Sequence, residues 1–395
     1  LSAPPLPTLL VIPTGIGCAV GGYAGDGLPA ARLLAAASGC LITHPNVMNG
    51  ASLYWSDRRI HYLEGWALDR FAAGELALAP VAGRRVGLLL DAGIEPELRA
   101  RQIQAAEACR ATLGLSIGPV VTTEVPLGVD LSLGPSGASW GTVAHPDALL
   151  RAGEKLVAAG ATAIAAVARF PDDPESEALA AYRAGSGVDA LAGAEAVISH
   201  LLVQHLGIPC AHAPALTPLP LDPDLDPRAA AEELGHTFLP CVLVGLSRAP
   251  DLVPLGQHGP RAMGAPDRAD GKAAAGSDSP SINPAEGLGG ASRWPPGRFG
   301  AGEGFQPPGS LLTASALGAV VAPAGALGGE AVLACAERGV PVIAVQNPCL
   351  LQVNAEAMGM EVVPAASYAE AAGLVLALRE GLDPGVLRRP LGAMR

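Results

Sequence analysis

An α/β fold of mostly parallel sheets, covered by helices on both faces, is what this sequence predicts. Three observations carry it. Short apolar runs recur without polar alternation, as strands buried on both faces require. Each run is followed by Gly or Pro turn residues and then by an Ala/Leu-rich stretch of helical length. Half of the 395 residues are apolar and only 4% aromatic, so the cores must be packed from Ala, Val and Leu, with enough material for more than one lobe. Right-handed crossovers between such strands give a Rossmann-like layering.

In chain order, Thr8–Ile12 reads as a strand, and a glycine loop leads to a helix over Leu28–Ala37. Strands follow at Cys40–Thr43 and Val86–Leu90, then a helix from Pro96 to Leu113 and a short strand at Val120–Thr123. Asp147–Ala159 reads as a helix, Thr162–Ala168 as a strand, Ala190–Leu206 as a helix and Leu239–Val244 as a buried strand. The last part reads as strand Ala319–Ala322, helix Gly329–Arg338, strand Val340–Val345 and helix Tyr368–Glu380. Between these parts, residues 252–310 are rich in Gly, Pro, Ser and Ala and lack apolar periodicity, so they are expected to be a disordered insertion. It separates a main α/β body over 1–251, with a division into two lobes near 80–150, from a small C-terminal α/β lobe over 311–395.

Net charge is −12, with no cluster of Lys and Arg, which argues against nucleic acid as a partner. The seven cysteines are scattered, odd in number and without a CxxC, so they read as reduced core thiols. The longest uncharged stretch, Phe305–Gly329, is interrupted by Pro307, Pro308, Pro323 and glycines, and no membrane span is expected. The chain opens on Leu1 without a visible secretory signal, as a processed or trimmed product would.

In open α/β sheets ligands sit beyond the carboxyl ends of the strands. The residues there are Gly15, Gly17, Gly21 and Asp26 after the first strand, His44 and Asn46 after the second, and Asp91 after Val86–Leu90. Arg169 follows Thr162–Ala168 and Arg248 follows Leu239–Val244. The first loop is the better anion cradle, because its glycines let backbone N–H groups approach a phosphate or carboxylate. Its G-x-G-x-x-x-G spacing is not the dinucleotide fingerprint, and there is no P-loop motif. Gly328 and Gly329 open a second helix in the same way.

Gly137–Gly141 matches G-x-S-x-G, but no strand immediately precedes Ser139 and no helix follows at once, so a ligand-contacting or structural loop fits better than a nucleophile elbow. His200 and His205 lie about 140° apart around a helix and do not share a face. A metal site would need His200 and His212 with Asp189 or Glu195 as carboxylates, the loop at Cys210 folding back. Asp189 equally suits the N-cap of that helix. The single E-x-x-H, Glu233 to His236, reads as a solvated helix end.

Eight strings taken together resemble one uncharacterised family, domain of unknown function 3326, of cyanobacteria, other bacteria and plastid-bearing eukaryotes. They are IPTGIGCAVGGYAGD (Ile12–Asp26), LITHPN (Leu41–Asn46), LDAGIEPEL (Leu90–Leu98), SGASWGT (Ser136–Thr142), ARFPDD (Ala168–Asp173), GVDALAGAEAVISH (Gly187–His200), CAHAPAL (Cys210–Leu216) and FLPCVLVGLSRAP (Phe238–Pro250). The likeness covers nearly all of 8–251 and, more loosely, 311–382. It implies no established activity. It does imply a cyanobacterial-type protein of the chloroplast stroma (cytoplasmic if bacterial), with the insertion as a green-algal elaboration. The chain departs from the resemblance after its last strand, where acidic residues are expected and Gln346, Asn347 and Pro348 stand.

The expectation that follows is an enzyme or binder of a small anionic metabolite, with no cofactor identified. Gly15, Gly17 and Gly329 would cradle the anion, Arg169 or Arg248 would pair its charge, and His44, Asp91, His200 and His212 would be the acid/base candidates. Two alternatives stand beside it: a metal-dependent hydrolase using His200, His212 and a carboxylate, and a non-catalytic plastid assembly or binding factor.

Overall fold

The computed structural model describes residues 3–23, 25–49, 57–233, 238–255, 311–387 and 389–390. The expected insertion beyond residue 255, and His236 of the E-x-x-H, lie outside the described residues.

Two all-parallel sheets organise the chain. The larger runs in the order β14 (Val363–Ala365), β13 (Val342–Val345), β12 (Ala319–Pro323), β1 (Thr8–Leu10), β2 (Leu41–Thr43), β3 (Ile60–Tyr62). The smaller runs β10 (Cys210–Ala215), β9 (Ala163–Arg169), β5 (Val86–Leu90), β6 (Ile117–Thr122). Residues 311–390, expected to form a lobe of their own, thus supply half of the sheet that the N-terminal strands begin. Leu9 is buried on one face and Leu10 on the other, so β1 needs neighbours on both edges, and β12 takes the edge that β2 leaves. An apolar run in the sequence declares that it is a central strand without declaring its partner.

Alternate strand residues feed two cores, each drawing on both sheets. Leu10, Val321, Ile343, Leu88 and Ala165 face one way, and Leu9, Val320, Ala344, Leu89 and Ala166 the other. The first core is closed by α1 (Leu28–Ser38), α12 (Tyr368–Arg379), α4 (Pro96–Leu113) and α9 (Phe238–Leu246). The second is closed by α3 (Gly65–Ala72), α10 (Glu330–Glu337), α5 (Pro146–Ala158) and α7 (Ala192–Leu206). Each fully buried Leu or Val contributes about 1.5–3 kcal/mol, so strands with both faces covered are the strongest determinants of the layering.

One segment differs in kind from its expectation. Leu239–Val244, read as a strand, is the middle of α9. The helix is buried all round, so its sequence carries no polar face to reveal the helical period, and an apolar run of this length fits either element. Pro240 sits in its first turn, where a missing N–H costs no helical hydrogen bond. The antiparallel hairpin β7 (Val129–Leu133) and β8 (Ser139–Val143), and the antiparallel pair β4 (Leu76–Ala79) and β11 (Asp251–Pro254), complete the framework. The strand β11 occupies the start of the segment expected to be disordered. No helix among the described residues is long and apolar enough to cross a membrane.

Candidate functional site

In the larger sheet the strand order reverses between β1 and β12: one half of the chain winds outward from β1 and the other from β12. Such a switch point leaves a crevice at the carboxyl ends of the two strands, where open α/β sheets bind ligands. Both glycine-rich loops of the sequence leave from it, residues 13–27 after β1 and 324–329 after β12.

The first loop is held from several sides. Gly15, Gly17 and Gly21 have φ of +71°, +67° and +81°, a region that other residues adopt only with strain. His44 Nε2 accepts the Ile12 N–H at 3.1 Å, and Asn46 Nδ2 donates to the carbonyls of Ile12 (3.0 Å) and Gly21 (2.7 Å). Burial pushes the His44 pKa down to about 4, so the ring is neutral and acts as an acceptor that fixes the loop. Asp26 accepts the Gly21 N–H at 2.5 Å, and its pKa is raised to about 6 because burial outweighs that hydrogen bond. Asn347 clamps Val20 in both directions, accepting its N–H at 2.9 Å and donating to its carbonyl at 2.8 Å. An Asp at 347 could accept but not donate, which explains an amide where the resemblance leads one to expect acid. Among the described residues, the amides of Gly15, Ile16 and Gly17 form no hydrogen bond to the chain.

This loop abuts the start of α7. A Cβ on Gly15 would lie 2.8 Å from Ser139 Oγ and 3.5 Å from Ala192 Cβ, and one on Gly17 would lie 3.1 Å from the Gly187 carbonyl. Ser139 accepts the Gly193 N–H at 2.8 Å, in a strand of a hairpin, so its hydroxyl caps a helix and shows none of the geometry of a nucleophile elbow. Asp189 accepts the Leu191 N–H at 2.9 Å just ahead of the same helix, whose N-cap position is held by Leu191 and not, as the sequence suggested, by Asp189.

Six polar side chains converge beside it. Glu64, buried at the end of β3, uses Oε2 to cap α3 through the Trp66 and Ala67 amides. Its Oε1 receives His200 Nε2 at 3.0 Å and the Ser199 hydroxyl at 3.2 Å. The Ser199 Oγ stands 3.0 Å from His212 Nδ1, and His212 Nε2 stands 3.6 Å from Glu195 Oε2. With Ser199 donating to Glu64, its oxygen is free to accept the His212 Nδ1–H, and His212 Nε2 faces Glu195 across a gap longer than a hydrogen bond. Burial first, and then the charge of Glu195, raise the Asp189 pKa to about 7, against the pull of the Leu191 amide and of His212. Burial opposes charge on His200, but the Glu64 carboxylate and the charge of Asp69 outweigh it and raise its pKa. His205, as its angular position requires, faces elsewhere and pairs with Glu154 at 2.8 Å.

The other expected residues have different engagements. Asp91 is 1% exposed and accepts the amides of Gly93, Leu127 and Arg169. The Arg169 guanidinium is held by Glu95 at 2.8 Å and Asp172 at 2.5 Å. Arg248 follows α9, in the field of Arg58 and Asp57. Gly328 packs on Val353, and Gly329 caps α10, whose Ala331 amide is taken by Asp69 Oδ1 at 3.0 Å, while Glu330 pairs with Arg70. The chain thus supplies its own carboxylate, Asp69, at the start of α10, where an external anion was expected. A cavity of about 400 Å³ flanks the glycine loop at Gly25, Asp26, Arg32 and Arg228, with Arg228 bonded to Asp226 and Gly185 and stacked 4.4 Å over the Tyr23 ring. Among the described residues no three His, Cys, Asp or Glu side chains are placed to hold a metal ion.

Glu64 and Ser199 are the members of the convergent set that sequence reasoning missed. β3 is three residues long and follows Arg58 and Arg59, so it gave no apolar run whose end could be inspected. Ser199 was visible only as the neighbour of His200.

Comparison with known proteins gives two matches. A family model described as a protein of unknown function (DUF3326) matches residues 7–292 and 288–388. An uncharacterised lipoprotein of the cyanobacterium Synechococcus sp. is 50% identical over 383 residues, covering 97% of this chain and 93% of its own length. No solved structure matches.

Proposed function

Because the chain belongs to the DUF3326 family of unknown function, we propose its activity from the site alone: an enzyme that moves protons on a small metabolite bound at the free amides of the first glycine loop, beside the start of α7. The observation that carries this reading is the linked set of His200, Glu64, Ser199, His212, Glu195 and Asp189 beside unpaired loop amides. Asp189, with a pKa near 7 and a second carboxyl beside it, is poised to give and take a proton at neutral pH. His212 sits next to it, with its ring orientation fixed through Ser199 by the buried Glu64.

The same geometry narrows the ligand. The free amides of Gly15, Ile16 and Gly17 suit an acceptor such as a carboxylate or phosphate oxygen. Glu64, Asp189 and Glu195 repel net negative charge nearby, and no arginine in the set offsets them. A zwitterion, or a neutral compound with one acceptor end, therefore fits better than the simple anion that the glycine loops suggest.

The test is to incubate the purified chain with a fractionated cell metabolite extract at pH 6 to 8 and follow it by untargeted mass spectrometry. Wild type should convert one compound or a few related ones, and His212→Asn and Glu195→Gln should abolish that conversion while melting near the wild-type temperature. The reading fails if wild type converts nothing, or if both variants convert as wild type does. We propose the chloroplast stroma as its location; the similar cyanobacterial protein is described as a lipoprotein, and a fluorescent fusion in a plastid-bearing cell distinguishes stroma from membrane.

A further inference from the structure

Cys18 lies just past Gly17 in the first glycine loop, and Cys349 lies in the loop after β13. The two residues form an isolated antiparallel bridge, with Ala19 N–H donating to the Pro348 carbonyl at 2.8 Å and Leu350 N–H to the Gly17 carbonyl at 3.1 Å. Their Sγ atoms are 3.0 Å apart. Neither residue has a part in the acid–base set. We propose that Cys18 and Cys349 form a reversible disulfide site, closed by a hydroperoxide and reopened by a dithiol.

The backbone already meets the demand of the bond. Directly opposed residues of an antiparallel pair have Cα atoms about 4.5–5.5 Å apart, within the span that a disulfide bridges, so closure asks for side-chain rotation and no travel of the chain. The two sulfurs also divide the roles. A hydrogen bond from Cys18 lowers the Cys349 pKa, while the same contact, together with burial, raises that of Cys18. Cys349 also adjoins the exposed Leu350 and is the sulfur nearer solvent, so it meets the oxidant as the attacking thiolate and Cys18 resolves. The Cys349 thiolate attacks a peroxide oxygen, the O–O bond breaks, and the leaving oxygen departs with a proton, giving a sulfenic acid. The Cys18 sulfur then attacks that sulfur, the S–O bond breaks, and water leaves with the Cys18 proton. The peroxide has accepted the two electrons given up by the thiol pair. A dithiol returns them by exchange through a mixed disulfide. Both cysteines are buried, at 2% and 5% exposure, but Leu350 beside Cys349 is 60% exposed, so the pair lies one residue from solvent and within reach of a small oxidant.

Closure would lock the glycine loop onto the loop after β13 by a covalent bond in addition to the Asn347 clamp. The site stands independently of the acid–base reading. The test treats the reduced full chain with hydrogen peroxide under native conditions, blocks the remaining thiols in denaturant and maps the peptides by mass spectrometry. The expected result is a peptide carrying Cys18 joined to one carrying Cys349, formed ahead of modification at the other five cysteines and reversed by dithiothreitol. Oxidised wild type should also melt several degrees above reduced wild type, a gain that Cys18→Ser and Cys349→Ser lose. The proposal is overturned if the two peptides do not join, or if other cysteines are oxidised first. Both outcomes are read on wild type, so they hold even if a serine variant fails to fold.

Discussion

At Asp189 two physical demands conflict. Its carboxyl accepts the Leu191 amide just ahead of α7, yet burial and the neighbouring Glu195 disfavour its charge and raise its pKa to about 7. An unfolded Asp titrates near 3.9, so the native state binds the proton more tightly, and stability falls as pH rises from about 4 to about 7. Asp189→Asn keeps an acceptor for the Leu191 amide and removes the charge. Its stability advantage over wild type should be small at pH 4, grow up to about pH 7 and stay level above, as denaturant titrations across that range will show. His200 has the opposite sign of usefulness. Its folded pKa is raised by Glu64, so the pair's contribution is full below about pH 6.5, the unfolded value, and is lost as pH climbs through the folded one. Glu64→Gln retains an acceptor for the α3 cap and should be destabilised relative to wild type at pH 6, with the gap in melting temperature closing by pH 9. Asp189, Glu195, His200 and His212 were legible as residue types on one helix and in the segments beside it. The relay that joins them was not, because Glu64 and His200 are 136 positions apart and meet only through packing of α3 on α7.

The β7–β8 hairpin and α7 meet through glycine at both surfaces. A Cβ at Gly193 would lie 2.6 Å from the Ser139 carbonyl oxygen and from Trp140 Cα, so backbone rather than a flexible side chain would have to yield. Gly193→Ala should cost about 1–3 kcal/mol by overpacking, measured by chemical denaturation. Hydrogen exchange should rise specifically in residues 129–143, and unchanged protection there would show that the hairpin is held by other contacts. Helices with one apolar face or clear caps were readable in sequence: α4 spans Pro96–Leu113 as its Pro start and Gly114 stop dictate. The fully buried α9 was not, since a helix without a solvent face loses the periodic signal that marks it.

For the molecule as a whole, the larger sheet is assembled from both ends of the described chain, and the described residues on either side of positions 256–310 pair with the two edges of one strand. Leu252 of β11 lies opposite Leu78 on one side of β4, and Leu312 bridges the same Leu78 on the other. Strands are spaced about 4.8 Å apart, so the two attachment points are within roughly 15 Å, and a linker of about six residues, at about 3.3 Å each, spans them. Replacing residues 257–309 with such a Gly–Ser linker should leave a soluble chain melting within a few degrees of the full one. Ending the chain at residue 255 should instead give an aggregating product, because β1 would lose β12 and expose an apolar strand edge. Size-exclusion chromatography and thermal melts of the two variants decide both points. By itself the sequence determined the parallel α/β class, the glycine turns at strand ends and most of the titratable side chains, because these follow from local apolar runs and backbone needs that act within a few residues. Only the tertiary structure decided that the last three strands join the first three, that the chain's own Asp69 fills the start of α10, and that Glu64 links two histidines, because each depends on surfaces brought together across more than a hundred residues by burial, which has no direction along the chain.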